Sequence, residues 1–311
     1  MDTLSRFRGA LLGMAVGDSL GIPTQFMDEK DIPDEFGKKV TDYYDNFLFE
    51  AGEYSDDTAM ALCIAESFIE NKRVVLDDIA KRFVRWEDTD GRDEGELTAY
   101  ALRQFRDGCD ASDAGRIAWE KMGRTSAGNG GLMRTAPVSL MFYNDPAGMD
   151  AASADICRIT HYDPRCVLSC RAHNILLWAL LRGNTREEAW ELLCDSLGDN
   201  AGDEEFADVI TVGRETPVSR FALDGHGKGY TYLSLKVAVS ALMNYDDFET
   251  PIVEIINKGG DADTNACIAG SLLGALYGEE GIPERWRDGL LACSRIRRIA
   301  TEIYDIVGAD K

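Results

Sequence analysis

The sequence predicts an all-α fold organised as a single domain, residues 1–311. Apolar residues recur at helical spacing in nearly every long segment, continuous β-alternation is missing, and no linker, internal repeat or low-complexity stretch divides the chain. The balance of 45% hydrophobic and 28% charged residues suits a soluble globular protein with a large core.

Taken in order, residues 3–20 place Leu4, Phe7, Leu11, Leu12 and Val16 at helical spacing, with Gly9, Ala10, Gly13, Ala15 and Gly17 between them. A helix this rich in small residues packs on several sides and belongs in the centre. Asp18, near its end, reads as a hydrogen-bonding anchor for loops rather than a member of a site. Residues 27–51 are polar, acidic and broken by Pro33, and read as a loop with a short strand or turn. Helices follow over Gly52–Asn71 and Leu76–Trp86, the second with a core stripe of Ile79, Phe83 and Trp86. Glu87–Gly95 is a charged loop, and Leu97–Arg106 and Ala111–Met122 are helical.

The run from Thr125 to Arg134 is dense in glycine, which lets backbone N–H groups approach a ligand or simply makes a tight turn. Arg134 just beyond it reads either as a phosphate or ribose contact or as the partner of a buried acid. Residues 137–144 finish a helix, and Ala151–Ile159 forms another. Thr160-His161-Tyr162-Asp163-Pro164 opens the apolar helix Cys166–Leu181, which gives His161 a capping or supporting role rather than that of a base. Glu187–Leu197 is amphipathic, and Asp195–Asp208 is an acidic surface loop or short helix. Gly225–Tyr230 alternates glycine with other residues, as a lid would. Leu233–Met243 is helical, Phe248–Asn257 leads into the next acidic motif, and Arg285–Val307 closes the chain.

Two stretches concentrate chemistry. In residues 257–278, Gly259 and Gly260 lead into Asp261, Asp263 and Thr264, and an Ala/Leu/Ile-rich helix follows with Gly270 and Gly274 four apart, a spacing that lets another backbone come close. In residues 52–69, Ser55, Asp56, Asp57 and Thr58 likewise precede an apolar helix. Each run alone is ordinary N-cap chemistry. Together they crowd carboxylates that raise one another's pKa unless a cation lies between them. If the two helix starts face each other, Ser55, Asp56, Asp57, Asp261, Asp263 and Thr264 supply oxygen ligands for two hard divalent ions such as Mg²⁺.

Composition narrows the partners. Formal net charge is −22, from 55 acidic and 33 basic residues, which repels nucleic-acid backbones and anionic membranes. The N-terminus lacks a basic leader and no apolar stretch is long enough to span a bilayer. The eight cysteines form no Cys-x-x-Cys pair and read as reduced, buried thiols of a cytoplasmic protein.

Five motifs occur in one order: Gly17-Asp18-Ser19-Leu20-Gly21, Ser55-Asp56-Asp57-Thr58, Gly128-Asn129-Gly130-Gly131-Leu132-Met133-Arg134, Thr160-His161, and Gly259-Gly260-Asp261-Ala262-Asp263-Thr264. In this the chain resembles the ADP-ribosylglycohydrolase family from about Arg6 to Gly278. The resemblance implies an all-α bundle, two Mg²⁺ or Mn²⁺ ions on the six ligands named above, and hydrolysis at the anomeric carbon of the distal ribose of ADP-ribose. It implies Asp93 as general acid/base beside Asp57, with Asn129, Gly130, Gly131 and Met133 lining the distal ribose and phosphates and Tyr230 facing the adenine end. One departure stands out. Many members carry Glu four residues after the first motif, where this chain has Gln25, which cannot take a proton near neutral pH. That favours an arginine-linked substrate or a free ADP-ribose derivative over a serine-linked one. The other expectations are a binding or immunity protein that neutralises a cognate ADP-ribosyltransferase or toxin, a lens-type structural relative, and a dinuclear phosphohydrolase.

Overall fold

The computed structural model describes residues 1–197 and 203–309. Among them it contains sixteen α-helices and no strand, only the isolated bridges Asp28–Gly259 and Gly128–Tyr230. The helices are α1 Thr3–Gly21, α2 Ile32–Phe36, α3 Asp56–Asn71, α4 Leu76–Thr89, α5 Glu96–Arg106, α6 Ala111–Lys121, α7 Ala136–Met141, α8 Pro146–Arg158, α9 Pro164–Leu181, α10 Arg186–Leu197, α11 Glu204–Glu215, α12 Thr231–Asn244, α13 Glu249–Ile256, α14 Ala262–Gly281, α15 Glu284–Gly289 and α16 Cys293–Val307.

The all-α expectation holds, with local differences. The strand or turn expected in residues 27–51 is the short helix α2 and the Asp28–Gly259 bridge. The charged loop is shorter than residues 87–95, because α4 runs on through Thr89. The closing segment is two helices, divided after Gly289. Part of the Asp195–Asp208 segment lies outside the described residues, and its flanks belong to α10 and α11.

The antiparallel pair α1 and α14 forms the centre. Both helices are buried on nearly all sides, in keeping with their lack of a polar face. Four glycines at i, i+4 spacing on α1 meet the small-residue face of α14. A methyl on Gly9 would overlap the carbonyl oxygen of Gly274, one on Gly13 that of Gly270, one on Gly17 that of Ala266, and one on Gly21 the backbone of Asp263. The two backbones are therefore in direct contact, and the contact sets where Asp18 and Asp263 lie. Around the pair, the stripe of Ile79, Phe83 and Trp86 on α4 is buried in the main core as its spacing predicts. No helix among the described residues is long and apolar enough to cross a membrane.

Adding one carbon to this seam should separate the helices. Gly17→Ala is expected to lower unfolding free energy by about 1–3 kcal/mol or more, the range for overpacking a well-packed core. Gly225→Ala, where a methyl meets nothing within 4 Å, should be near neutral. Urea unfolding of both variants checks this, and equal midpoints would refute the backbone-contact account.

Candidate active site and metal centre

The site forms where α3 and α14 begin. Ser55 caps α3, its Oγ accepting from the Asp57 N–H at 3.3 Å, so the N-cap reading of this run is correct as local structure. Asp18 reaches across from α1 and accepts from the N–H of Ser55 at 3.1 Å, the N–H of Thr58 at 3.1 Å and the Thr58 hydroxyl at 2.6 Å. A carboxylate at a helix N-terminus meets free N–H groups and the positive end of the dipole. Asp18 is thus the anchor its position suggested, and it fixes α3 against α1.

It is also closer to the chemistry than the sequence indicated. Asp18, Asp57 and Asp263 are fully buried, and one oxygen from each lies within 4.8 Å of the others. Asp57 Oδ1 and both carboxylate oxygens of Asp263 have no hydrogen-bond partner. Buried acceptors without donors cost free energy and are rare in folded proteins. The second oxygen of Asp57 accepts from Ser55 Oγ at 3.1 Å and lies 3.4 Å from Thr264 Oγ1, which joins the two motifs across about 200 residues of sequence. Asp56 and Asp261 are nearly buried as well.

The electrostatics agree. Burial first, and then the neighbouring carboxylates, push Asp56, Asp57 and Asp263 well above the ordinary carboxylate range. Burial raises Asp18 to about 6 against the pull of its Thr58 and Ser55 hydrogen bonds. A divalent cation removes both problems at once, neutralising the mutual repulsion and satisfying the orphaned oxygens. The donor set is all oxygen, as hard cations require, so the residues fit such a group.

Over this cluster opens a cleft of about 630 Å³. Asp56, Asp261 and Thr264 reach it from the acid cluster, Gln25 and Asp93 from one wall, and Asn129, Gly130 and Met133 from the Gly-rich loop. Gln25 Nε2 donates to Asp93 Oδ2 at 2.7 Å. Asp93 has φ +67°, a left-handed conformation uncommon outside glycine, and burial raises its pKa. Asn129 Nδ2 donates to Asp261 Oδ2 at 2.7 Å and to Ser234 Oγ at 2.9 Å, coupling the Gly-rich loop to the acid cluster.

Gly131 and Tyr230, also expected at the substrate face, are not among the residues lining the cleft: a methyl on Gly131 would meet Cys157 and His161, and the Tyr230 hydroxyl donates to Glu205 at 2.8 Å. The candidate lid is joined to the Gly-rich loop, since Asn129 N–H donates to the Gly229 carbonyl at 3.0 Å and Gly128 bridges Tyr230.

Arg134 does neither thing expected of it. Its guanidinium turns into the core, where Cζ lies 4.7 Å from the Phe83 ring centroid and Nη2 donates to Thr160 Oγ1 at 2.6 Å. That hydroxyl lies 2.7 Å from His161 Nδ1. The arginine takes one of the hydroxyl's two lone pairs and leaves its hydrogen free for Nδ1; donated there, it sets the imidazole proton on Nε2, the tautomer expected here. His161 lines the cleft against Gly130, while the helix start is capped by Asp163, which accepts from the Arg165 N–H. Burial and the nearby Arg134 push His161 down to about 3, so the ring is neutral. Phe26 and Lys228 also line the cleft; Lys228 belongs to the Gly225–Tyr230 lid segment, while no pattern in the residues marks Phe26.

The ADP-ribosylglycohydrolase family profile matches residues 1–310. The chain belongs to this family. It is 32% identical to the ADP-ribosylarginine hydrolase Tri1 of Serratia proteamaculans over 97% of this chain and 80% of that protein. It is 27% identical to the ADP-ribosyl-[dinitrogen reductase] glycohydrolase of Rhodospirillum rubrum, over 98% and 97% of the two chains. A solved structure of an ADP-ribosylglycohydrolase-related protein complex superposes with a TM-score of 0.82 at 29% identity, covering 98% of this chain and 99% of that one. As an ADP-ribosylglycohydrolase the chain is a hydrolase, and its acid cluster of Asp18, Asp57 and Asp263 lies in three of the motifs that carry the family resemblance.

The histidine tautomer is directly measurable, because the chain has only three histidines. Nitrogen-15 NMR should show His161 neutral, protonated on Nε2 and bare on Nδ1, from pH 8 down to pH 5. Arg134→Met should raise its pKa and mix the tautomers, since both the nearby positive charge and the donor to Thr160 are gone. A cationic His161 at pH 5.5 in the unaltered protein would contradict the assignment.

Proposed function

We propose that this glycohydrolase releases ADP-ribose from a modified arginine, or from a small ADP-ribose conjugate, with two divalent cations held by Ser55, Asp56, Asp57, Asp261, Asp263 and Thr264. The observation that carries the reading is the set of orphaned oxygens on Asp57 and Asp263 beneath a cleft walled by the Gln25–Asp93 pair. Mg²⁺ or Mn²⁺ suits the all-oxygen donor set. Bound there, such ions hold ribose hydroxyls and make water a better nucleophile.

Asp93 is the acid/base. Burial keeps its carboxyl protonated further up the pH scale than an exposed aspartate, as a proton donor requires. The Gln25 amide donates to Oδ2, so the transferable proton belongs on Oδ1. As the bond between C1″ and the leaving nitrogen breaks, its electron pair stays on nitrogen, which takes the Asp93 proton. Water oxygen then bonds to C1″ and its proton returns to Asp93. Negative charge from the buried carboxylates favours the oxocarbenium-like state between. Gln25 orients Asp93 and takes no proton itself. Asn129, held by Asp261 and Ser234, positions the distal ribose, and the neutral His161 presents Nε2–H to a substrate oxygen.

Arginine is favoured by the Gln25 substitution, because a guanidine is a basic leaving group that one acid suffices to assist. The similarity to an ADP-ribosylarginine hydrolase points the same way. The eight free cysteines suit a reducing, cytoplasmic location. One core cluster reaches from Phe7 to Ile303, which supports a single domain.

The test is ADP-ribose release from arginine-modified and serine-modified peptides with Mg²⁺ or Mn²⁺, with and without EDTA. Release from the arginine peptide, abolished by EDTA, is expected. Asp93→Asn should lower kcat about a hundredfold or more while the protein still binds metal. Asp263→Asn should abolish both activity and the rise in melting temperature that Mn²⁺ gives the unaltered protein. Turnover that survives EDTA would overturn the reading.

A further inference from the structure

The cleft carries an aromatic ring that the mechanism above does not use. Phe26 follows Gln25 and lines the cleft, yet its side chain is 57% exposed. Its backbone has φ +60°, which a bulky residue adopts only when its surroundings enforce it. The enforcement is visible. Phe26 N–H donates to the Gly260 carbonyl at 2.5 Å, the Gly260 N–H returns a bond to the Met27 carbonyl at 2.9 Å, and Asp28 bridges Gly259. Gly259 and Gly260 both have positive φ, and a methyl on Gly259 would overlap the Met27 carbonyl. The turn that delivers Asp261 therefore also holds an aromatic ring out into the cleft mouth, against the tendency of such a ring to bury itself.

The ring accepts cations. Lys228 Nζ, on the opposite loop, lies 5.7 Å from its centroid, near the outer limit of a cation–π contact. A guanidinium is flatter and less strongly hydrated than an ammonium, and stacks better on an aromatic face. Phe26 lines the same cleft as Gln25 and Asp93, the pair at which the leaving group departs. Adenine lies at the other end of ADP-ribose.

We propose that Phe26 is the specificity-determining platform for the leaving group, stacking on the guanidinium of the modified arginine. The proposal rests on the arginine-hydrolase reading and names the residue that enforces it. Removing the ring should weaken turnover only where the leaving group is a guanidine.

The experiment compares unaltered protein, Phe26→Gly and Phe26→Trp. Glycine keeps the positive φ without strain, so loss of folding does not confound it. Each is assayed with an arginine-ADP-ribosylated peptide and with ADP-ribose 1″-phosphate, and ADP-ribose binding is measured by calorimetry. Phe26→Gly should lower kcat/KM on the peptide by about three- to thirtyfold. It should leave 1″-phosphate turnover and ADP-ribose affinity within about twofold, and Phe26→Trp should retain peptide turnover. Equal losses on both substrates, lost ADP-ribose affinity or no loss at all would each overturn the platform. If the unaltered protein binds ADP-ribose but releases none from the arginine peptide, the arginine reading itself fails.

Discussion

The contact between α1 and α14 is the constraint from which the site follows. Four glycines let one helix backbone rest on the other, and a single added methyl at any of them meets main chain rather than a side chain that can move aside. Interhelical distance is thus set by hard backbone atoms. Asp18 and Asp263 inherit their separation from this seam, because Gly17 and Gly21 flank the first and the latter packs on the backbone of the second. Asp18 then fixes α3 through its hydrogen bonds to Ser55 and Thr58. Rigidity passes from the seam to the acid cluster without any intervening loop.

The cluster is destabilising on its own terms. Several buried carboxylates near one another leave some protonated and others without donors, in conflict with the usual demand that buried polar groups be satisfied. The two helix N-termini that meet there offset part of the cost through their dipoles. A fold tolerates such a conflict where a ligand resolves it, and places it where the framework is stiffest. Arg134 adds a buried guanidinium whose hydrogen bonds reach Thr160 and Met60, and it serves the cleft indirectly, through the proton arrangement of His161.

Much of this was legible in the sequence. The small-residue α1 announced a central helix, Gly270 and Gly274 on α14 announced a close approach of another backbone, and the two acidic helix starts announced a shared site; that α1 and α14 are each other's partner appears only in the fold. Other features were not legible, for physical reasons. Whether a residue after a motif points into a cleft or a core depends on the turn it occupies, so Arg134 read as a ligand contact or as the partner of a buried acid although it turns into the core toward Thr160 and Phe83, and Phe26 went unnoticed although it is exposed. Tyr230 read as facing adenine, while its hydroxyl is taken by Glu205. Asp18 read as an anchor because hydrogen-bonding capacity is local, whereas its closeness to Asp57 and Asp263 exists only in the assembled fold. Loop and helix limits shifted where charged residues continue a helix past its apolar stripe, as α4 does to Thr89.

The seam also bears on how the protein is made. Beyond Arg6 and Arg8, α1 leaves the ribosome rich in apolar and small residues, and the helix that covers its glycine face begins at Ala262, about 240 residues later. At roughly 5–20 residues per second, that face waits about ten to fifty seconds for its partner. During synthesis the nascent chain thus carries a helix whose glycine face is still unpaired. Messages or expression conditions that stall translation before α14 is made would leave that face bare, which makes the yield of this enzyme depend on the speed of its own translation.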